Sequence, residues 1–278
     1  DVRDINSLYQ AVDNVDIIYH LAAYTWIWAP DKSIYEEINV GGVENIAKVA
    51  LEKNKKIFYM SSFTAIGPTP EEPVDETFEN KLFYMDYERT KFYGKKKIKE
   101  YIEKGLNATL FYPGIVYGPG DFNIFGQMLF DIVQGKFLGC PGKGDSIACF
   151  SYVDDLINIL TSIINRDDLI GEGFILGGEN IKFGEYLNLI AEIAEVKKPR
   201  HFPMWAASFY AWLCEVKSKL TKRIPYITRA TIKSIKYNRS YSSKKAIEKL
   251  NYKITPLREG LRETIAWYKE YLKKNEEN

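Results

Sequence analysis

Ile57-Phe58-Tyr59-Met60-Ser61-Ser62, followed downstream by Tyr87-Glu88-Arg89-Thr90-Lys91, is the stretch from which the rest of the chain can be read. An unbroken apolar run ends in two hydroxyls, the pattern of a buried strand that delivers serine to its carboxyl end. Four residues make one helical turn, so Tyr87 and Lys91 project from the same face of the helix that follows. An opposite charge within about 4–6 Å moves a pKa by about 1–3 units toward the charged form. A lowered Tyr87 pKa is therefore expected, suited to general acid–base work near neutral pH. Tyr-x-x-x-Lys recurs at Tyr93/Lys97 and Tyr241/Lys245 in a chain holding 20 Tyr. Only the first pair follows a serine-terminated strand, and six residues of helix carry Tyr93 about 240° round from Tyr87.

Outward from this stretch, Ile17 to Leu21 and Ala108 to Tyr112 are also continuous apolar runs. Amphipathic segments, Ile34 to Glu52 and Asp86 to Lys104, separate the three strands. Strand, helix, strand in this order predicts right-handed crossovers and a parallel sheet, with ligands beyond the strands' carboxyl ends. Further helices are expected at Phe122 to Gln134, Phe183 to Ala194, Pro203 to Leu220 and Leu257 to Lys273. Gly135 to Gly144 reads as a glycine-rich loop, and Asp154 or Asp155 as a helix N-cap. No Gly-x-Gly-x-x-Gly turn follows a strand; Gly171 to Gly178 is glycine-rich but is not placed between a strand and a helix.

Composition narrows the function. Lys plus Arg (38) nearly balances Asp plus Glu (37), so no overall field favours nucleic acid. Cys140, Cys149 and Cys214 have neither paired nor metal-ligand spacing, which reads as a reduced, cytoplasmic protein. With only His20 and His201, both read as structural, no protein-ligated metal is expected. Phe202 to Cys214 is too short and interrupted to span a bilayer. Its Trp205, Phe209, Trp212 and Leu213 fall at helical spacing and are expected to line a core or a substrate pocket, with a membrane-surface role as the lesser alternative.

Taken in order, several segments resemble the extended short-chain dehydrogenase/reductase family, nearest its dihydroflavonol reductase and 3β-hydroxysteroid dehydrogenase branch. They are Asp1-Val2-Arg3-Asp4, His20-Leu21-Ala22-Ala23, Asn39-Val40-x-Gly42, Ser61-Ser62, Tyr87-x-x-x-Lys91, Pro113-Gly114-x-Val116-Tyr117-Gly118-Pro119-Gly120-Asp121 and Tyr152-Val153-Asp154-Asp155. The resemblance implies a Rossmann-like parallel sheet lacking its first three strands, the chain beginning at the end of the third. It implies a cofactor domain over 1–117 and a smaller, mainly helical substrate region over 118–278, with 147–177 returning to the sheet. By the same resemblance Ser62, Tyr87 and Lys91 are catalytic, with NAD or NADP as cofactor. Lys91 would also hold the nicotinamide ribose. Asp1 and Val2 would meet the adenine, Leu21, Ala23 and Asn39 the cofactor generally, and Pro113, Gly114 and Val116 the nicotinamide.

Two departures bear on the substrate. Tyr112 precedes Pro113 where many members have Arg, and Ile115 stands where sugar-nucleotide enzymes carry an Asn that meets the diphosphate. An aliphatic side chain donates nothing to phosphate, and Trp26 and Trp28 either wall an apolar substrate site or pack as aromatic groups under a loop. The leading expectation is an NAD(P)-dependent oxidoreductase interconverting a secondary alcohol and a ketone. A sugar-nucleotide epimerase or dehydratase, and a nucleotide sensor without catalysis, are the alternatives. The expected partner is a small-molecule substrate, with a homodimer admitted and no membrane span.

Overall fold

In the computed structural model, which describes residues 1–276, four parallel strands carry the architecture. Helix α1 (Ile5–Val12) leads into β1 (Ile17–His20). A short helix, α2 (Ser33–Glu36), runs through a π-turn at Glu37–Gly41 into α3 (Gly42–Glu52), which returns to β2 (Lys56–Met60). Helix α4 (Asp86–Glu103) connects β2 to β3 (Ala108–Pro113). After β4 (Ile115–Tyr117), α5 (Ile124–Val133), β5 (Cys140–Pro141), β6 (Ile147–Tyr152) and α6 (Val153–Ser162), the chain rejoins the sheet as β7 (Gly173–Leu176). The sheet order is β1-β2-β3-β7, every pair parallel.

Alternation along the strands explains why helices cover both faces. Ile57 and Tyr59 on β2, with Leu110 and Tyr112 on β3, turn toward Val43, Ile46 and Ala47 of α3 and Ile98 of α4. Phe58, Phe111 and Phe174 turn the opposite way, toward Leu156 and Ile159 of α6. Phe111 is fully buried between the other two rings, at centroid distances of 5.8 and 6.3 Å. A cavity in place of such a ring costs about 3–5 kcal/mol. Gly94 lets α4 lie close on this sheet, since a Cβ there would meet the Asn39 carbonyl oxygen at 2.5 Å and the Tyr59 Oη at 2.8 Å.

The remaining elements are β8 (Asn180–Lys182), α7 (Phe183–Ala194), β9 (His201–Phe202), α8 (Met204–Thr221), α9 (Arg229–Ser234), α10 (Lys244–Leu250) and α11 (Leu257–Glu276). A second sheet runs β4-β6-β8, and β5, which falls inside the segment read from sequence as a glycine-rich loop, pairs with β9. Two sequence expectations are corrected here. Asp154 and Asp155 lie in the first turn of α6, whose N-cap is Tyr152; Asp155 instead accepts hydrogen bonds from Thr255 N (2.8 Å) and Oγ1 (2.7 Å). On α8, Trp205, Phe209, Trp212 and Leu213 line neither core nor pocket; they face solvent, Trp205 at 75% exposure. Small residues, with Ala211 and Ser218 fully buried among them, form the packed face of α8 instead.

Candidate active site

Strand β2 ends at Ser61, whose N donates to the Phe111 carbonyl (2.8 Å), and the chain then turns into a 3₁₀ turn over Phe63–Ala65. Ser62 is the N-cap of that turn. Its Oγ accepts from Thr64 N (3.2 Å) and Thr64 Oγ1 (3.0 Å), which satisfies an orphan amide and fixes two buried hydroxyls together. Tyr87 enters from the first turn of α4, where Ser62 and Thr64 act as hydrogen-bond partners of its phenol. Lys91, one turn on and buried, donates from Nζ to the Met60 carbonyl at 3.0 Å. All four residues line one cavity of about 580 Å³.

The charge states correct the expectation of a lowered Tyr87 pKa. Burial raises it; the Ser62 hydroxyl pulls the other way, the Glu88 charge adds to the rise, and Thr64 partly offsets it. Burial lowers the Lys91 pKa to about 8, so its side chain stays mainly the ammonium at pH 7. Desolvation and the Lys91 charge push His20 down to about 4, so His20 is neutral beside it. Burial is the largest influence on all three groups.

Behind Tyr87, Glu88 organises the start of α4. Its Oε2 accepts from Tyr84 N (2.8 Å) and Met85 N (3.2 Å), and its Oε1 from Ser234 Oγ and Arg239 Nη2, both at 2.6 Å. A buried carboxylate is thus fully partnered, partly by a guanidinium 151 residues away in sequence. Arg239, Ser234, Tyr237 and Thr231 also line the cavity. None of these was flagged from sequence, and an ion pair of such separation leaves no periodic signal. Thr64, two residues beyond Ser62, could have been read as a third hydroxyl.

The expected cofactor residues divide. Leu21, Ala23, Pro113, Gly114 and Val116 line the cavity with Tyr87 and Lys91. Gly114 is required by close approach: a Cβ would sit 2.5 Å from the Cys149 carbonyl oxygen, and its N donates to Ser151 Oγ (2.8 Å). Val2 lies instead on an adjoining cleft that shares Leu21. Asp1 is exposed and paired with Arg3 at 2.8 Å. Asn39 is buried, its amide engaged with Tyr24 N (2.7 Å), Tyr24 O (3.1 Å) and Thr90 Oγ1 (3.0 Å), clamping the aromatic loop to α4. From that loop Trp26 reaches the cavity and Trp28 does not. Of the other two Tyr-x-x-x-Lys pairs, Tyr93 is exposed and Tyr241 donates to the Gly67 carbonyl at 2.5 Å, away from the cavity.

The cavity fits a nicotinamide nucleotide. Lys91 spends one of its three donors on Met60, leaving two for vicinal hydroxyls. Leu21 and Val116 present exposed apolar side chains, at 59% and 38%, where a flat ring needs a wall.

Comparison with known proteins bears on the family and the fold. A sequence model of the NAD dependent epimerase/dehydratase family matches residues 1–177. Sterol demethylase protein B of Methylococcus capsulatus is 24% identical over 97% of this chain and 84% of its own length. The crystal structure of gox2253 superposes with a TM-score of 0.80 at 30% identity, over 98% of this chain and 83% of that one. UDP-glucuronic acid 4-epimerase from Bacillus cereus, in complex with UDP-glucuronic acid and NAD, gives a TM-score of 0.76 at 20% identity, covering 96% and 80%.

Proposed function

The chain belongs to the NAD-dependent epimerase/dehydratase family, an extended short-chain dehydrogenase/reductase enzyme, and from that premise we propose that it interconverts an apolar secondary alcohol and its ketone. The observation that carries this reading is the meeting of the Tyr87 phenol, the Ser62 and Thr64 hydroxyls and the Lys91 ammonium in a cavity walled by Trp26 and Ile115. A bound nicotinamide supplies the two-electron acceptor or donor for the substrate carbon. Lys91 would hold the ribose through its two free donors, and Pro113, Gly114 and Val116 would back the ring. Ser62 Oγ donates to the substrate oxygen, fixing it beside Tyr87 Oη.

Tyr87 then passes a proton to that oxygen in reduction or removes one in oxidation. Burial keeps the phenol protonated across neutral pH, which favours its use as the donor. The Lys91 charge offsets phenolate formation once substrate and cofactor exclude water. Residues 118–278, including Arg239 and Tyr237, form the substrate side of the site in this reading.

Sterol demethylase protein B supports an apolar substrate, whereas the UDP-glucuronic acid epimerase supports an anionic one. Ile115 favours the former, because it has no donor for a diphosphate and is buried against β6. The test is absorbance at the nicotinamide band with NAD and a panel of hydroxysteroids and UDP-sugars. Net reduction of NAD by an apolar alcohol is expected. Epimerisation of a UDP-sugar without net absorbance change would replace this reading with the second.

A further inference from the structure

Helix α8 carries an apolar stripe that points away from the protein. At about 100° per residue, Trp205, Phe209, Trp212, Leu213, Val216 and Leu220 fall within an arc of about 100°. All six are exposed, Leu220 at 81%. Ala211 and Ser218, the buried residues of α8, lie roughly opposite. The stripe is therefore the helix's outer surface, and Phe202 and Leu138 extend it with further exposed apolar side chains.

The charge around this surface is one-sided. Lys217, Lys219, Lys222 and Arg223 crowd the carboxyl end of α8, and Lys197, Lys198 and Arg200 precede its start. Among the described residues none of these seven is in a salt bridge. The one acid between residues 196 and 223 is Glu215, which is turned inward and paired with Arg229 at 2.8 Å. In a chain of net charge +1, seven cations outside any salt bridge thus flank this exposed aromatic stripe.

From this arrangement we propose that α8 is an interfacial anchor that docks the protein on an anionic lipid surface, lying in the headgroup plane. Tryptophan and phenylalanine on one face with lysine at its margins is the chemistry that inserts shallowly into the acyl boundary. No described helix is long and apolar enough to cross a membrane, which agrees with lying on the surface. A second copy of the chain fits less well, because apposing two such faces brings cations against cations. Docking here also sets the bilayer one helix from the substrate cavity, since α9 packs on α8 and lends that cavity Thr231 and Ser234.

The test is co-sedimentation of the full chain with phosphatidylcholine vesicles with and without phosphatidylglycerol. The parent chain is expected to partition at least about tenfold more strongly to the anionic vesicles, the difference shrinking with added salt. Trp205→Ser/Phe209→Ser/Leu220→Ser and, separately, Lys217→Glu/Lys219→Glu are each expected to abolish binding while circular dichroism stays unchanged. A parent chain that stays in the supernatant with anionic vesicles overturns the proposal, and needs no variant. So does a triple-serine variant that binds as the parent does. Sedimentation showing a vesicle-free dimer that the triple-serine variant converts to monomer would assign the stripe to a second copy instead.

Discussion

Helices α4 and α8 are each 18 residues long, and each inverts the usual arrangement of polarity in its own way. Helix α4 turns charge inward: Glu88 meets Arg239, Lys91 meets the Met60 carbonyl, and Lys95 meets Glu79 at 3.2 Å. Helix α8 turns aromatic and aliphatic groups outward, and nothing in the structure covers them. Burying a charge and exposing a large apolar surface both cost free energy, so each marks a place where something other than stability was at stake. On α4 every inward charge has a partner, which marks a site that works from within. On α8 the exposed groups wait for a partner outside.

If that contrast is right, the largest effect should come from α4. Tyr87→Phe keeps the ring and its packing but removes the proton, and turnover should fall about 10²–10⁴-fold with NAD affinity nearly unchanged in a fluorescence titration. Turnover within about threefold of the parent would strip Tyr87 of its role. Next comes the ion pair behind it. Arg239→Met leaves the buried Glu88 carboxylate without its guanidinium and should cost about 3–5 kcal/mol in denaturant unfolding. Adding Glu88→Gln to that variant should recover part of the loss; a double variant as unstable as the sum of the singles would show that the two residues do not act as a pair.

A third effect is set by pH. The folded state holds the His20 pKa at about 4 against an unfolded value near 6.5, so the unfolded chain binds more protons between those values. Stability contributed by neutral His20 is full above about pH 6.5 and is lost as pH falls toward 4, by up to about 3 kcal/mol. Unfolding curves across that range should slope accordingly, and His20→Gln should flatten them. The smallest effect belongs to α8: Trp205→Ser with Phe209→Ser should change unfolding free energy by no more than about 0.5 kcal/mol, because Trp205 faces solvent and Phe209 stacks only on Trp212, itself exposed on the same face. A loss of several kcal/mol would mean that this face is covered within the protein.

The same contrast explains what could be read from sequence. Strands β1, β2 and β3 were legible because burial on both faces forces unbroken apolar runs, and Ser62, Tyr87 and Lys91 because one strand end and one helical turn fix their relation. Helix α8 was legible as a helix but not in its orientation. Its Ala207, Ala211, Cys214 and Ser218 also recur at helical spacing, and small residues pack as well as large ones when a helix must approach closely. Periodicity shows that a stripe exists, not which of two stripes faces inward. The Tyr87 pKa was misread because spacing reveals a neighbouring charge while burial, the stronger influence, appears only in three dimensions. Asp155 was misplaced because its partner, Thr255, lies 100 residues further on.

The distance in sequence between Glu88 and Arg239 also sets a clock. At about 5–20 residues per second, the ribosome delivers Arg239 on the order of ten seconds after Glu88. During that interval β1 to β3 and α4 are all available to assemble, with Tyr87 and Lys91 in place, while Glu88 has neither Arg239 nor Ser234. The nascent chain therefore owns its proton-transfer residues well before it owns the contacts that hold them rigid, and a competent site waits on the emergence of Arg239.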